Sequence, residues 1–391
     1  MFCFPQGGGI KEYIVNLTNL LTKIDPEDEY VFYVLEDQYE YATKMLPTRG
    51  KVKTIPYQNK LVSKIKRSLF SQLFWSKEEK VERFDIFHSP FYYAPKMKRA
   101  KLVVTIHDLR LYRYPETYGF LRYHFLKRAV KDTLKRADQI ISISQFTKNE
   151  AVETCGVTPD KIEVIHEAID RFGFSAKHIE GYSIPREYMY LENNRFLFSL
   201  SHIEPRKNYI RLIKAFSEIK KNNRFNDLKL VIAGRKNLKA ESVIKLIEDT
   251  KDVIYLDYVP REFLLWLYRS ATLFIFPSYY EGFGFPPLEA ASMGTVSAVS
   301  KASSIPEVCG ESAFYFDPYD EKDMSEIIKK ALDNEQQIGE KKMKLEQQLS
   351  KFSWEENARK TLNLYKRSAN VVTLTGGGNS VIFKKQIQIA A

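Results

Sequence analysis

The run ATLFIFP at 271–277 most constrains how this chain folds. It is strand-length and apolar at nearly every position, so both of its faces must be covered. That is the condition of a strand inside a parallel sheet layered with helices. The polar turn that follows ends the strand, and 288–293 reads as helix with Pro286 and Pro287 at the usual place for proline, just inside the start. A strand that feeds a helix through such a loop aims bare backbone N–H groups at the positive helix end, where anions bind. Glu281 lies in the loop and Glu289 follows eight residues later on the helix, so both carboxylates can face one crevice. Either glutamate alone would by default be a cap or a solvated residue. The flanking Gly282, Gly284 and proline pair argue against that default.

The same alternation recurs along the chain. Strands are predicted at 30–35, 52–55, 85–88, 102–106, 139–144 and 161–165, and again at 196–200, 228–233, 253–256, 273–276, 296–299 and 314–316. Helical stretches separate them. The fold class is therefore α/β, two Rossmann-like doubly wound halves facing each other across a deep cleft, with ligands expected beyond the carboxyl ends of the strands. A length of 391 residues suits two such cores. The stretch 174–194 lacks periodicity and carries Gly181, Ser183 and Pro185, which places a linker between domains at 1–173 and 195–351. A further helix is predicted at 352–366, with Ser353 as N-cap and Glu356 completing a capping box. The tail 369–391, glycine-rich and then strand-like, is assigned no role.

Composition narrows the class of partner. The formal charge of +11 points to anions: a nucleotide, a membrane surface or nucleic acid. Zinc-finger spacing, an RNP-like strand and a helix-turn-helix are all missing, so nucleic acid is not expected. Three scattered cysteines and six unclustered histidines fit a reducing compartment and no metal site. No apolar stretch reaches the roughly 20 residues of a membrane span, and the first residues lack the pattern of a secretory signal. The expected location is the cytosol, peripheral at the inner face of the membrane. The motive for the membrane is 60–75, KLVSKIKRSLFSQLFW, in which Leu61, Ile65, Leu69 and Leu73 or Phe70 can line one face while lysines and an arginine crowd the rest. An ordinary amphipathic helix packed on the sheet explains the same pattern equally well.

Three more stretches fall where the crevice should open. Gly7, Gly8 and Gly9 precede a helical stripe of Ile10, Tyr13, Ile14, Leu17 and Leu21, leaving backbone free to approach a phosphate or sugar. His107 and Asp108 end the strand at 102–106; imidazole can donate to a sugar hydroxyl, and the acid can fix its tautomer. Glu204-Pro205-Arg206-Lys207-Asn208 joins the first strand of the second half to its helix. There the planar fork of arginine and the point charge of lysine could grip a diphosphate. A solvated basic loop is the bland alternative, and its neighbourhood to 278–294 on the sheet favours function.

Taken together, E-G-F-G-F-P-P-L-E (281–289), E-P-R-K-N (204–208), the N-terminal glycines, the HD pair and the Ala233-Gly234 strand end resemble the retaining glycosyltransferases of family 4, which have the GT-B fold. The resemblance runs from residue 7 to about 366. It implies that Arg206 and Lys207 neutralise the donor diphosphate in place of a metal, in keeping with the absence of any D-x-D. It implies that Glu289 binds the ribose, and that Glu281 with the backbone of Gly282, Phe283, Gly284 and Phe285 holds the donor sugar. His107 would contact the sugar near the reacting carbon, with Asp108 beside it. Gly8 and Gly9 would approach the diphosphate, and Gly234, Tyr258 and Val259 would hold the base. A helix at about 352–368 would cross back onto the first domain. No cofactor is implied beyond the nucleotide diphosphate sugar, and no metal.

The function so implied is transfer of a hexose, mannose from GDP-mannose, to a lipid-linked or polysaccharide acceptor with retention of configuration. UDP-glucose or another UDP-sugar is the alternative donor. Two departures from the family stand out: only six residues precede the glycines, and the tail after Lys366 has no counterpart. The rival readings are a GT-B epimerase or phosphorylase, a nucleotide-sugar-binding relative without activity, and a basic nucleic-acid binder. A glycosidase is disfavoured, because its two carboxylates must flank one bond at roughly 5–10 Å.

Overall fold

A computed structural model describes residues 8–55, 64–171, 173–237, 239–369 and 386–390, the backbone alone at 64–71 and 386–390. In chain order the principal elements are α1 (Gly9–Ile24), β1 (Glu29–Leu35), β2 (Lys51–Ile55), α2 (Lys64–Glu82), β3 (Ile86–Ser89), β4 (Lys101–Ile106), α3 (Phe120–Arg136), β5 (Gln139–Ser142), α4 (Gln145–Cys155) and β6 (Ile162–Val164). Then come β7 (Phe196–Leu200), α5 (Tyr209–Lys220), β8 (Lys229–Ala233), β9 (Val253–Leu256), α6 (Arg261–Ser270), β10 (Leu273–Phe276), α7 (Phe285–Ser292), β11 (Ser297–Ser300) and β12 (Ala313–Phe316). The chain closes with α8 (Glu321–Asp333), α9 (Glu335–Leu349), α10 (Trp354–Ser368) and β13 (Gln386–Ala390). Among the described residues no helix is long and apolar enough to cross a membrane.

The chain divides into two compact units. The second, Ala168–Phe352, is built on a six-stranded parallel sheet of order β12-β11-β10-β7-β8-β9. Its strands alternate faces with period two, as a pleated strand requires. Leu273 and Ile275 of β10 join Leu197, Ile232, Leu212 and Phe216 on one side. Phe274 and Phe276 join Phe198, Val231, Tyr268 and Met293 on the other. Burial of each such side chain contributes about 1.5–3 kcal/mol, and the double coverage is why ATLFIFP carries almost no polar residue. The chain winds outward from β7 through β8 to β9, then returns beside β7 as β10 and winds the opposite way. The reversal leaves a crevice at the carboxyl ends of β7 and β10, where ligands of such sheets bind.

The stretch 174–194, expected as a linker, belongs to this second unit instead. It holds 3-10 helices at Ala176–Ile179 and Arg186–Asn193, and Ile184 and Leu191 are buried in the unit's core. Gly and Pro punctuation marked turns correctly here, but apolar anchors spaced without period still found a pocket.

The first unit, Met1–Glu167 with Ser353–Ala391, has a seven-stranded parallel sheet of order β2-β1-β13-β3-β4-β5-β6. Its core gathers Tyr33, Trp75, Phe87, Val104, Ile106 and Leu134. Helix α10 packs on α1 within this unit, and Ser353 caps it by accepting from the Glu356 N–H at 3.3 Å. The Glu356 carboxylate turns to Arg359 at 2.9 Å rather than back to the cap. Of the tail, residues 386–390 take part in the sheet. β13 runs parallel between β1 and β3, pairing Val31 with Gln388 and Gln388 with Phe87, in the middle of the sheet.

Of the expected membrane face on 60–75, Leu61 and the side chains of Ile65, Leu69 and Phe70 lie outside the described residues. Leu73 is exposed and Trp75 is fully buried.

Candidate active site

Two loops meet at the β7/β10 crevice of the second unit. After β7, Asn208 adopts a left-handed φ of 61°, a conformation asparagine tolerates better than most residues. Its side-chain amide donates to the Pro277 carbonyl at 3.1 Å and the Pro318 carbonyl at 2.8 Å, and its own carbonyl accepts from Leu212 as α5 begins. The loop after β7 is thereby tied to the end of β10, and the Tyr279 N–H adds a bond to the Arg206 carbonyl at 3.0 Å.

These ties bring Arg206, Lys207 and Glu281 into contact. Lys207 Nζ donates to Glu281 Oε1 at 2.5 Å, and Arg206 Nη1 donates to Glu281 Oε2 at 3.1 Å. Arg206 also donates to the Tyr280 carbonyl at 2.5 Å and through Nη2 to Glu204 Oε1 at 2.6 Å. Glu204 in turn accepts from Asn237 at 3.0 Å. Burial works to raise the Glu281 pKa, but the neighbouring Lys207 and Arg206 charges outweigh it and hold the carboxyl down at about 2. Burial pushes the Lys207 ammonium below its usual pKa, opposed by the Glu281 charge. An ammonium has three N–H donors, and one of those on Lys207 is spent on Glu281. The result is two cations fixed by two acids at a helix-lined crevice, preorganised before any ligand arrives.

The loop 278–284 is held from its far side by the turn after β11. Ser303, at a left-handed φ of 53°, accepts from the Glu281 N–H at 2.9 Å. Ser304 Oγ donates to the carbonyls of Glu281 at 2.9 Å and Phe283 at 2.7 Å. Gly284 caps α7 at φ 116°, a conformation L side chains rarely adopt. The helix opens at Phe285, three residues earlier than its apolar pattern suggests, because Pro286 and Pro287 fit its first turn. Glu289 stands on α7 with Oε2 accepting from the Tyr268 hydroxyl at 2.6 Å. It is thus oriented separately from the Glu281 cluster.

Gly234 ends β8 at φ 138°, and a Cβ there would stand 1.9 Å from the Ser201 carbonyl oxygen. Its N–H donates to Leu256 and its carbonyl accepts from Tyr255. Tyr258 is exposed in the loop after β9, with the Arg235 guanidinium 5.5 Å above its ring, and Val259 packs against the core. The expected base-holding residues therefore share the sheet end that holds the cluster.

In the first unit, His107 follows β4 with both ring nitrogens engaged: Nδ1 with Glu167 Oε1 at 3.0 Å and Nε2 with the Pro90 carbonyl at 2.9 Å. Asp108, expected to fix the imidazole, instead accepts from the Arg110 N–H at 3.1 Å; the chain turns directly after His107 and carries that carboxylate into a local cap. Tyr13 lays its ring edge-on to His107 at 5.0 Å. Its hydroxyl and His88 Nε2 both bond Thr105 Oγ1, at 2.9 and 2.7 Å, and His88 Nδ1 meets the Tyr365 hydroxyl at 2.5 Å. Burial lowers the His88 pKa to about 3. Gly8 is the N-cap of α1 and Gly9 opens it, four residues before Tyr13, at the start of the helix that carries that ring to His107.

Sequence reading missed Glu167, Tyr268, Ser303 and Ser304, and assigned no role to Asn208 within its motif. The Ser303-Ser304-Ile305-Pro306 run after β11 has the same strand-turn-proline-helix form as 273–287, and that was the available signal.

Residues 184–353 match the family described as Glycosyl transferases group 1, and residues 7–171 match Glycosyltransferase Family 4. The chain is 30% identical over 285 residues to the O-antigen chain mannosyltransferase B of Escherichia coli, covering 72% of this chain and 74% of that protein. It is 31% identical over 274 residues to the serotype-specific mannosyltransferase WbdA of Escherichia coli, 66% of this chain but only 32% of WbdA. The crystal structure of Anabaena Alr3699/HepE in complex with UDP-glucose superposes with a TM-score of 0.69 at 16% identity, covering 92% of this chain and 97% of that one. That likeness speaks to fold alone. Two doubly wound parallel sheets, the paired signature loops and these matches lead to one assignment: the chain belongs to the family 4, group 1 glycosyltransferases of GT-B fold, and it is a glycosyltransferase.

Proposed function

We propose that the chain transfers mannose from GDP-mannose to a lipid-linked or growing polysaccharide acceptor, forming an α-glycosidic bond with retention and without a metal, in cell-surface glycan synthesis. The observation that carries this reading is the buried Arg206-Lys207-Glu281 cluster at the β7/β10 crevice. The departing diphosphate develops negative charge as the sugar becomes oxocarbenium-like. Cations already fixed at that point stabilise the transition state without reorganisation. Both Glu281 oxygens are held by cations, which supports a role in positioning those cations and the sugar rather than in attacking the anomeric carbon. Front-face attack, with the leaving phosphate taking the acceptor proton, needs no protein nucleophile. Glu289 is assigned to the ribose, Gly234, Tyr258 and Val259 to the base, and the backbone of 282–285 to the sugar. His107, Asp108, Gly8 and Gly9 are the first unit's contribution. The mannosyltransferase relatives support the choice of sugar, and the work is proposed to take place at the cytosolic membrane face.

A thermal-shift screen of nucleotide sugars tests the donor, since a ligand that binds only the native state raises its stability by mass action. GDP-mannose should give the largest shift and support transfer to acceptor, and EDTA should leave turnover unchanged. A shift and transfer with UDP-glucose alone would overturn the donor. Release of free epimerised sugar without acceptor would overturn transfer itself.

A further inference from the structure

Helix α3 leaves an unusual surface uncovered. Val130, Thr133 and Leu134 bury its inner face, and Tyr123 and Leu126 pack partly on the core. On the outer face Phe120 is 75% exposed, Leu121 81% and Phe125 46%. At 100° per residue these three share one side with His124, Arg128, Lys131 and Lys135, all exposed. The apolar residues occupy the first turns and the cations the later ones. The helix carries six cations (Arg122, Lys127, Arg128, Lys131, Lys135 and Arg136) against one acid, Asp132, which is bonded to Arg136 at 2.8 Å. Its net +5 is nearly half of the whole chain's +11. Two large aromatic rings and a leucine left in water beside such a charge excess are not needed by the fold, since the helix is already anchored from its other face.

We infer that the outer face of α3 is where the protein docks on an anionic lipid surface. Phe120, Leu121 and Phe125 enter the boundary between headgroups and acyl chains, while Arg128, Lys131 and Lys135 meet lipid phosphates. Apolar insertion and charge attraction are the two contributions that interfacial helices combine. The stems of the lysines and arginines let their heads reach the phosphate level from a helix lying in the interface plane. A second copy of this chain is a poor occupant, because two such faces would bring their charges of like sign together. The assignment does not depend on which sugar is transferred. It moves the membrane contact from the stretch 60–75 to α3.

The test is co-sedimentation of the full chain with vesicles of phosphatidylethanolamine and phosphatidylglycerol, and with vesicles of phosphatidylcholine alone. Binding should be at least tenfold tighter to the anionic vesicles and should weaken as salt is raised. Phe120→Ser/Leu121→Ser/Phe125→Ser and, separately, Arg128→Glu/Lys131→Glu/Lys135→Glu should each weaken it more than tenfold. Thermal midpoint and turnover on a water-soluble acceptor should stay at wild-type levels in both, which separates this outcome from failure of the donor-site reading. Wild-type vesicle binding by both variants would overturn the inference. So would a wild-type dimer in light scattering that the first triple variant converts to monomer.

Discussion

The two sheet ends that carry the candidate residues are built on different physical terms. In the second unit the site is charged: Arg206 and Lys207 are clamped by Glu204 and Glu281 at the point where the winding of the sheet reverses. In the first unit, apart from the His107–Glu167 contact, the polar side chains around Thr105 are hydroxyls and a histidine whose charged form is disfavoured by burial. The sheet of that unit, moreover, is completed at its middle by a strand from the far end of the chain. The contrast teaches that a single family fold can hold a charged cluster spelled largely in adjacent residues, and in its other unit a buried polar cluster whose parts come together only through topology.

Removing β13 should break the comparison most severely. A chain ending at Ala369 loses the ladders to both β1 and β3, leaving two edges within what had been one sheet. Hydrogen exchange should show the first unit unprotected while the second retains its own protection. Full protection of β1 and β3 in the shortened chain would show that the strand is dispensable.

Next in size come Arg206→Ala and Lys207→Ala, each expected to lower transfer about 100- to 1,000-fold, the usual cost of losing a preorganised group aimed at developing charge. Release of nucleoside diphosphate in a coupled assay measures it. Turnover within tenfold of wild type for both would remove the charged centre from catalysis.

Glu281→Gln sharpens the electrostatic half of the comparison. The Glu281 pKa is depressed from 4.5 to about 2 in the folded protein, so its ion pairs stabilise the native state above about 4.5 and that contribution is lost as pH falls toward 2. The wild type should therefore be more stable than the variant by a few kcal/mol near neutrality, with the gap closing across that acid window. Urea unfolding at a series of pH values reads the gap directly. A gap independent of pH would mean that the charge of Glu281 is not what stabilises the loop.

The smallest effect is expected in the first unit. Glu167→Gln keeps a hydrogen-bonding group beside His107 but removes its charge, and should lower kcat about tenfold through imidazole orientation. A fall in kcat with KM unchanged in this variant, largely restored by Glu167→Asp, separates this from simple loss of packing. Wild-type kcat in Glu167→Gln would make the Glu167 contact purely structural.

Much of the fold was legible in the residues because burial on two faces leaves a local imprint. ATLFIFP, for instance, could only be an interior strand, and its partners carry the same mark. The loop 204–208 and the loop 278–284 were legible as site candidates for a related reason: charged and glycine-rich turns that follow buried strands stand out against them. Tyr268, Ser303 and Ser304 were not, since a tyrosine in an apolar helix and two serines in a turn look like ordinary packing and capping. The run 174–194 misled because irregular spacing was taken for lack of burial, whereas Ile184 and Leu191 needed no period to reach a core.

The sequence by itself determined two series of parallel strands with their helices, and singled out the charged and glycine-rich turns that form the candidate site. These are local properties: side-chain alternation and turn chemistry act over a few residues. Only the tertiary structure decided that Lys207 meets Glu281 across 74 positions and His107 meets Glu167 across 60. The same holds for the last strand at the middle of the first sheet and for the outer face of α3 left open. Strand order and helix coverage are settled by the packing of the whole chain, and no single segment carries them.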